Sequence, residues 1–236
     1  MVIKDNEEKL QLILDRYLND EEQKKIKEII YPFFIHPEFQ RRMTNEFLHH
    51  SDISLGEHIL EDTVKTFLLC QKKKDINLSL ALKISMMHDL YCVPWQNNEL
   101  KVKHFSNKHG FRHPIEASIN AINWYPDAFK NVSDAEIIID GILHHMYPLP
   151  VSRIISIKDN LTELNNYELF CSLNEDCKNI IISSLERKHI GRLSFSKSKF
   201  KEGRILSKAD RIVSFKQIKN IESAKALLTG KNKSIK

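Results

Sequence analysis

The stretch from residue 78 to residue 90 restricts the fold of this chain more than any other, because it is apolar on nearly every side of a helix. Its apolar positions are Leu78, Leu80, Ala81, Leu82, Ile84, Met86, Met87 and Leu90. A helix that is apolar all round must be covered by other elements on every side. The stretch therefore predicts a central helix, and this helix closes on a polar pair, His88 and Asp89, whose burial needs an explanation.

Composition assigns the rest of the chain to the all-α class. The chain has 236 residues, of which 42% are hydrophobic, and this is enough for one sizeable core. It contains only 6 Gly and 7 Pro, and it has no long run of alternating apolar and polar residues. A turn-rich β architecture is therefore disfavoured, and we expect a compact bundle of long helices joined by short connections.

Charge and cysteine usage narrow the class of protein. The 36 Lys and Arg residues exceed the 31 Asp and Glu residues by 5, but they are spread over most of the chain, which favours a solvated surface over nucleic-acid binding. The 4 cysteines form no Cys-x-x-Cys pair, and the N-terminus leads into a charged amphipathic stretch, so we expect a cytoplasmic protein. No apolar run approaches the roughly 20 residues that cross a bilayer, which argues against a membrane span.

Helix signals place histidines at or near the ends of several predicted helices. Ser54 starts a long helix that has His58 in its first turn. His113 directly precedes Pro114, and proline is favoured in the first turn of a helix, so we expect a helix from about residue 114 to residue 124. Both histidines then lie where a helix begins.

A further predicted helix ends at a pair of adjacent histidines. Ser133 and Glu136 have the Ser-x-x-Glu form of a capping box, so a short buried helix is expected to begin there and to end at His144 and His145. Gly141 lies one turn before this pair, and we expect it to leave room for a bulky centre.

Two carboxylates lie where burial is costly. Asp89 closes the apolar helix described above, and Asp210 lies in the apolar stripe of a helix predicted over residues 204–228. An unpaired buried carboxylate costs several kcal/mol, so each of the two needs a cation or strong hydrogen-bond donors. Metal ions would satisfy both.

Each feature alone has a simpler explanation. A His-Asp dipeptide arises easily by chance in a chain with 11 histidines, and lone buried histidines such as His58 and His113 are more often core or capping residues. The pair His144 and His145 before a proline also fits a plain helix terminus. The order in which all of them occur carries more weight than any one of them.

That order resembles the HD superfamily of metal-dependent phosphohydrolases over roughly residues 50–215. His58 is similar to the first-helix ligand of that superfamily, His88 and Asp89 to its defining doublet, and Asp210 to its closing aspartate. The resemblance implies that these four residues hold one metal ion. It also implies a helical HD domain over residues 51–230, with a helical N-terminal extension over residues 1–50 and a flexible basic tail over residues 231–236.

His113, His144 and His145 resemble the additional ligands of the two-metal members, in which the aspartate of the doublet bridges both ions. Asp89 is the bridge if this resemblance holds. The chain lacks two features of more specialised members. One is the Gly-Tyr-Pro signature of cyclic-dinucleotide phosphodiesterases, of which only Tyr-Pro remains, and the other is a lysine shortly after the doublet that helps to hold phosphate.

The resemblance implies that the chain hydrolyses a small phosphoester, with nucleotides among the candidates, by water activated at one or two divalent ions. Asp89 and His113 are the expected catalytic residues. Arg112 and Lys108 are candidates to bind phosphate oxygens, although both also fit a basic surface loop. Ligation rich in imidazole favours Fe or Mn, with Co, Zn and Ni as further candidates.

The segment of residues 94–110 follows the doublet directly and mixes Trp95 with polar and basic groups. It is the best candidate for a substrate lid, in which a nucleotide base would stack on the indole of Trp95. A tryptophan that fills the edge of the core is the simpler alternative.

Two other functions fit the same residues. Some relatives with a similar ligand order are mixed-valence di-iron oxygenases, which cleave carbon bonds with O₂. The second alternative is a catalytically inactive HD domain that serves in signalling or binding. Retention of every expected ligand type argues against the inactive domain.

Overall fold

The computed structural model describes residues 2–49, 53–92, 105–153 and 167–217. These residues form ten α-helices, which are α1 Val2–Tyr17, α2 Asp20–Phe34, α3 Pro37–Arg42, α4 Leu55–Cys70, α5 Leu78–Met87, α6 His109–Trp124, α7 Val132–Leu143, α8 Tyr167–Ser172, α9 Glu175–Glu186 and α10 Lys201–Gln217. Short 3-10 helices lie at Asn45–Phe47, Phe105–Asn107 and Pro126–Phe129. The all-α class predicted from composition is confirmed, whereas an HD-type fold stays a prediction.

Helix α5 lies in the middle of the bundle, as its apolar sequence predicts. It packs against α2, α4, α6, α7 and α10. Its residues from Leu80 to Met87 are buried apart from Lys83. The Asn77 side chain caps the helix start by accepting a hydrogen bond of 3.1 Å from the Leu80 amide. Because α5 ends in the interior, the next two residues, His88 and Asp89, emerge inside the bundle.

The N-terminal helices cover one side of the same core. Residues of α1 and α2, among them Leu14 and Ile26, belong to one continuous hydrophobic core with α4, α5 and α7. Pro32 lies inside α2, which continues to Phe34. Phe33 and Phe34 are both buried, and their packing holds the last residues of the helix in place.

Of the two helix caps predicted from the sequence, one is present in the structure and the other is not. Ser54 forms the predicted cap of α4, in a capping box in which its hydroxyl accepts from the Glu57 amide at 3.3 Å. The capping box predicted at Ser133 is wrong. Asn131 is the cap of α7, and its side-chain oxygen accepts from the amides of Ser133 at 2.9 Å and Asp134 at 3.2 Å.

Helix α6 begins five residues earlier than Pro114, so His113 lies within the helix and not in front of it. The proline removes only the hydrogen bond that residue 114 would make to the carbonyl of residue 110, and the helix tolerates this loss near its start. The expected helix start at residue 114 is therefore wrong. Because α6 starts at His109, the helix itself fixes the direction of the His113 side chain.

A small antiparallel sheet holds the chain before α6 in place. It consists of β1 Val151–Ser152, β2 His189–Ile190 and β3 Leu193–Ser194, with β3 in the centre. Ser152 pairs with Leu193, and its hydroxyl donates to the carbonyl of Ser106 in the 3-10 helix that precedes α6.

Helices α7 and α10 cross with their backbones in contact at two glycines. A Cβ atom added to Gly203 would lie 2.7 Å from the Cα of Gly141, and one added to Gly141 would lie 2.7 Å from Cγ2 of Ile84. The expectation that Gly141 leaves room for a bulky centre is wrong, because Ile84 and the α10 backbone fill that space. The glycines instead bring α10 close to α7, so that residues of both helices reach one site.

None of the helices in the four described ranges combines the length and the apolar character that a bilayer span needs. This agrees with the lack of a long apolar run in the sequence.

Candidate metal centre

Histidine and aspartate side chains from five segments converge in the interior. They come from α4, α6 and α10 and from the residues that directly follow α5 and α7, and each of these residues is at most 5% exposed. They are His58, Asp62, His88, Asp89, His113, His145 and Asp210. Six of these seven are residues that the sequence proposes as metal ligands, and Asp62 is the addition.

Each of the four histidines is held by a hydrogen bond at its Nδ1 atom. The acceptors are Gln217 Oε1 for His58 at 2.8 Å, Ser85 O for His88 at 2.7 Å, His109 O for His113 at 3.1 Å and Ile142 O for His145 at 2.7 Å. Because these oxygens only accept, the Nδ1 atoms carry the protons. The Nε2 atoms therefore face the cluster, as they do in histidines that bind metals.

One group of donors forms what we call the first position. Possible ligand atoms of His58, Asp62, His88 and Asp210 all lie within 4.8 Å of one another. Oδ2 of Asp62 is 3.1 Å from Nε2 of His58 and 3.3 Å from Nε2 of His88. Oδ2 of Asp89 is 3.7 Å from each of these two nitrogens. Neighbouring donors around an ion with bonds of about 2.1 Å are separated by about 3 Å, so this spacing suits a metal ion.

A second group of donors meets the other oxygen of Asp89, and we call it the second position. Oδ1 of Asp89 is 3.3 Å from Nε2 of His113 and 3.4 Å from Nε2 of His145. The two nitrogens are 3.1 Å apart. The three atoms form a nearly equilateral triangle, which matches three neighbouring donors on one face of a metal's coordination sphere.

The electrostatics of the cluster favour a positive charge at its centre. Among the described residues, the orphaned buried atoms include both carboxylate oxygens of Asp62, Nε2 of His88 and Oδ1 of Asp89. Burial lowers the pKa of His88, but the carboxylates of Asp89, Asp62 and Asp210 outweigh it and raise that pKa to about 10. Burial likewise raises the pKa of Asp89, but the charge on His88 together with the contacts to His113 and His145 outweighs it and holds that pKa well below its ordinary value. A cation placed between these groups would satisfy them.

Asp62 is a site residue that the sequence reasoning missed. It lies one helical turn after His58 on α4, is 0% exposed, and has its pKa raised by burial. The available signal was the spacing of four residues, which puts both side chains on one face of the helix. The neighbours Glu61 and Thr63 are also polar, and three consecutive polar residues are typical of an exposed helix surface, so the spacing was overlooked.

His49 is a second residue at the site without an assigned role. Its ring stacks on that of His58 with centroids 4.0 Å apart, and ligand atoms of His49, His58 and Asp89 lie within 4.8 Å of one another. Nδ1 of His49 is 3.4 Å from the hydroxyl of Tyr91. This places the ring of His49 next to His58 at the first position.

His144 is directed away from the cluster, although its neighbour His145 belongs to it. Nε2 of His144 is 2.9 Å from the hydroxyl of Ser184 on α9 and 3.8 Å from Asp140. Asp140 in turn forms an ion pair of 2.6 Å with Arg187. Burial lowers the pKa of His144 to about 4, so this ring sits as a neutral group in a polar network beside the centre. The helical conformation ends at Leu143, and the His144 backbone departs from it, so the two side chains leave the chain in different directions.

The proposed phosphate-binding residues lie at the start of α6. Arg112 directly precedes His113 and is 5% exposed, and Lys108 is the residue before the first turn, with its ammonium group 4.9 Å from the centre of the Phe105 ring. The proposed lid falls largely outside the described residues, and Trp95 with it. The basic tail over residues 231–236 lies outside them as well.

Comparison with known proteins does not assign the chain to a family. No family model matches the chain, and neither the curated proteins nor the solved structures give a match. The residues themselves fit a metal ion. Four imidazoles and three carboxylates converge with orphaned donor atoms among them, and these are the ligand types that divalent transition metals take in proteins.

Proposed function

We propose that this chain is a metal-dependent phosphohydrolase of the HD type whose two divalent ions are bridged by Asp89. The observation that carries the proposal is the position of this carboxylate between two donor groups. Oδ2 of Asp89 faces His58 and His88 at 3.7 Å, and Oδ1 faces His113 and His145 at 3.3 Å and 3.4 Å. Two ions, one on each side of this carboxylate, would give both donor groups an ion.

Two divalent ions, when bound, polarise a phosphoryl oxygen and lower the pKa of a coordinated water to near neutrality. The protein's own contribution is orientation. The hydrogen bonds at each Nδ1 keep the four Nε2 atoms directed at the centre, and the burial of the cluster excludes bulk water from it. Arg112 and Lys108 are the proposed contacts to the phosphate oxygens, because they lie next to His113 at the start of α6.

The proposed substrate is a small phosphoester, with nucleotides as the first class to test. A cytoplasmic location fits the proposal, since none of Cys70, Cys92, Cys171 and Cys177 is in a disulfide. The ions proposed are Fe or Mn, because carboxylates as well as imidazoles surround the first position.

The proposal is tested with metal-free protein that is reloaded with Mn²⁺ in the absence of O₂. Phosphate release is then measured on nucleoside monophosphates, dinucleotides and other small phosphoesters. We expect release with at least one substrate class. Asp89→Asn should abolish it and lose at least one bound ion per chain while the helical circular-dichroism spectrum stays nearly intact. Full turnover by Asp89→Asn would overturn the proposal.

His144 and His145 give a matched pair of variants for the same test. Both are buried histidines at the end of α7, but only His145 faces Asp89. We expect His145→Gln to lose the ion at the second position and most of the activity, and His144→Gln to keep both ions. The reverse result would mean that the second position is assigned to the wrong residue.

A mixed-valence di-iron oxygenase is the second candidate, and one observation favours it. The second position holds two histidines and one carboxylate in a triangle, which is also the ligand set of non-haem Fe(II) oxygenases with open positions. Uptake of O₂ by the iron-loaded protein on a polyol or phosphonate, without phosphate release from any phosphoester, would favour this candidate. Phosphate release with Mn²⁺ and without O₂ would exclude it.

A further inference from the structure

The first and second positions differ in the number of donors that the protein supplies. The first position has four donors within 4.8 Å of one another, which are Nε2 of His58 and His88 and one oxygen each from Asp62 and Asp210. Oδ2 of Asp89 lies 3.7 Å from each of the two nitrogens and would be a further donor. The second position has Oδ1 of Asp89 and Nε2 of His113 and His145. Asp62 supplies one of the additional donors at the first position, and the ligand order read from the sequence does not contain it.

Asp62 has the surroundings of a ligand and not those of a structural carboxylate. Its side chain is 0% exposed, and neither of its oxygens forms a hydrogen bond among the described residues. Oδ2 lies between Nε2 of His58 at 3.1 Å and Nε2 of His88 at 3.3 Å. The hydrogen bonds at Nδ1 direct both nitrogens at the cluster, and the spacing of these three atoms matches that of neighbouring donors around one metal ion.

Asp140 shows what a buried structural aspartate looks like in the same molecule. Oδ2 of Asp140 accepts from the Ser198 hydroxyl at 2.6 Å and from the Lys199 amide at 2.8 Å, and Oδ1 pairs with Arg187 at 2.6 Å. Every acceptor is used. Asp62 has no such partners, and this contrast supports metal ligation in place of structural pairing.

We propose that Asp62 is a fifth protein ligand of the ion at the first position, so that this ion is nearly closed to solvent and substrate. This inference rests on the proposed two-ion centre. Five protein donors would leave one open place on an ion that takes six ligands, whereas three donors would leave several. The phosphoryl group of a substrate therefore binds mainly at the second position.

The two positions then prefer unlike ions. Three carboxylates and two imidazoles make the first position a harder donor set, which suits Mn²⁺ or Fe²⁺ and binds it tightly. Two imidazoles and a shared carboxylate make the second position softer and weaker, and it exchanges its ion more readily.

The test uses the full chain, stripped of metal and titrated with Mn²⁺ alone, with free Mn²⁺ followed by electron paramagnetic resonance. We expect two classes of unequal affinity in the unaltered protein. Asp62→Val should weaken the tight class at least about tenfold. It should also raise the water-proton relaxation caused by the tightly bound ion, because a water takes the place of the carboxylate.

Thr66→Val is the matched control. Thr66 lies one turn further along α4, is 0% exposed, and has a hydroxyl without a hydrogen-bond partner among the described residues. This variant should bind Mn²⁺ like the unaltered chain.

Three results would overturn the inference. The first is a single class of sites in the unaltered protein, which needs no variant. The second is unchanged affinity in Asp62→Val. The third is weakened affinity with unchanged water relaxation, which means that Asp62 acts only as a nearby charge. None of these measurements uses phosphate release, so failure of the proposed hydrolase activity and failure of the ligand assignment are separate outcomes.

Discussion

Gln217 fixes which nitrogen of His58 faces the metal centre. Its Oε1 accepts from Nδ1 of His58 at 2.8 Å, while its Nε2 donates to Glu61 at 2.9 Å. The second contact holds the amide in the orientation that the first contact needs. Gln217 is the last residue of α10, and the same helix carries Asp210, so α10 both supplies a ligand and orients another.

Gln217→Leu should lower the affinity of the first position for Mn²⁺ by about 10–100-fold, because His58 loses the acceptor that fixes its tautomer. Competition with a chelator measures the change. Gln71→Leu is the control, since Gln71 is also a glutamine at a helix end, and its side chain donates to the partly exposed Glu22 at 2.8 Å, away from the metal centre. Equal affinities in both variants would show that the His58 tautomer is set by other contacts.

Individual site residues differ in how far the sequence predicts them. Asp210 stands out because a charge interrupts an apolar stripe, and His88 and Asp89 stand out because they close an apolar helix. Asp62 has polar neighbours on both sides, which hide its helical spacing from His58, and its burial in the folded chain identifies it. For His144 and His145 the pattern gives the pair but not the member that faces inward, since this depends on how α7 is rotated in the bundle.

At the scale of elements, Arg42 ties the end of α3 to the segment that follows the His-Asp pair. Its guanidinium lies between the rings of Phe47 at 4.8 Å and Trp124 at 4.4 Å, and it donates to the carbonyl of Tyr91. The side chain is 0% exposed. This contact anchors the chain two residues after Asp89, so the position of the bridging carboxylate depends on it.

Arg42→Met should destabilise the fold by about 3 kcal/mol, because it removes charge-assisted hydrogen bonds and two cation-π contacts while filling most of the space. Urea denaturation measures the loss. Arg41→Met is the matched neighbour, whose exposed pair with Glu46 is screened by solvent and is expected to contribute much less. Similar losses in the two variants would contradict the anchoring role.

The crossing of α7 and α10 predicts that replacing a helical glycine by alanine destabilises the fold, although this change usually stabilises a helix. Alanine normally stabilises a helix interior by about 0.5–1 kcal/mol relative to glycine. Gly203→Ala should instead destabilise by about 1–3 kcal/mol, because its Cβ would lie 2.7 Å from the Cα of Gly141 and 2.4 Å from the Ser198 hydroxyl. Thermal denaturation tests this, with Lys208→Ala, an exposed position on the same helix, measured in parallel as the control. A stabilised Gly203→Ala would mean that the two backbones are not in contact.

Elements were predictable where one local signal dominates, as in α5 and at the Ser54 cap of α4. The start of α6 was not, since Pro114 indicates a first turn but the helix extends back to His109. Likewise α7 begins at a cap two residues before Ser133, because Asn131 competes for the same amides. The crossing at Gly141 and Gly203 joins segments more than 60 residues apart, and no local pattern reports it.

At the scale of the whole molecule, the continuous core holds buried acids that bear on stability at high pH. Burial raises the pKa of Cys70 from its ordinary value of 9.0 to about 12, and it also raises the pKa values of Cys177 and Tyr125. In each case the folded state keeps a proton that the unfolded chain releases. These groups favour the folded state fully below their ordinary pKa values, and this contribution is lost as the pH rises toward the folded-state values.

Cys70 makes this loss measurable. Above about pH 9 the unfolded thiol ionises while the folded thiol stays neutral up to about pH 12, so the free energy of unfolding should fall with pH in this window by up to about 1.4 kcal/mol per unit from this group. Cys70→Ala should therefore show a shallower decline than the unaltered chain in urea denaturation between about pH 9 and pH 10.5. Cys171→Ala removes an exposed thiol and should leave the slope unchanged. Parallel slopes for Cys70→Ala and the unaltered chain would mean that the Cys70 thiol ionises as easily in the folded core as in water.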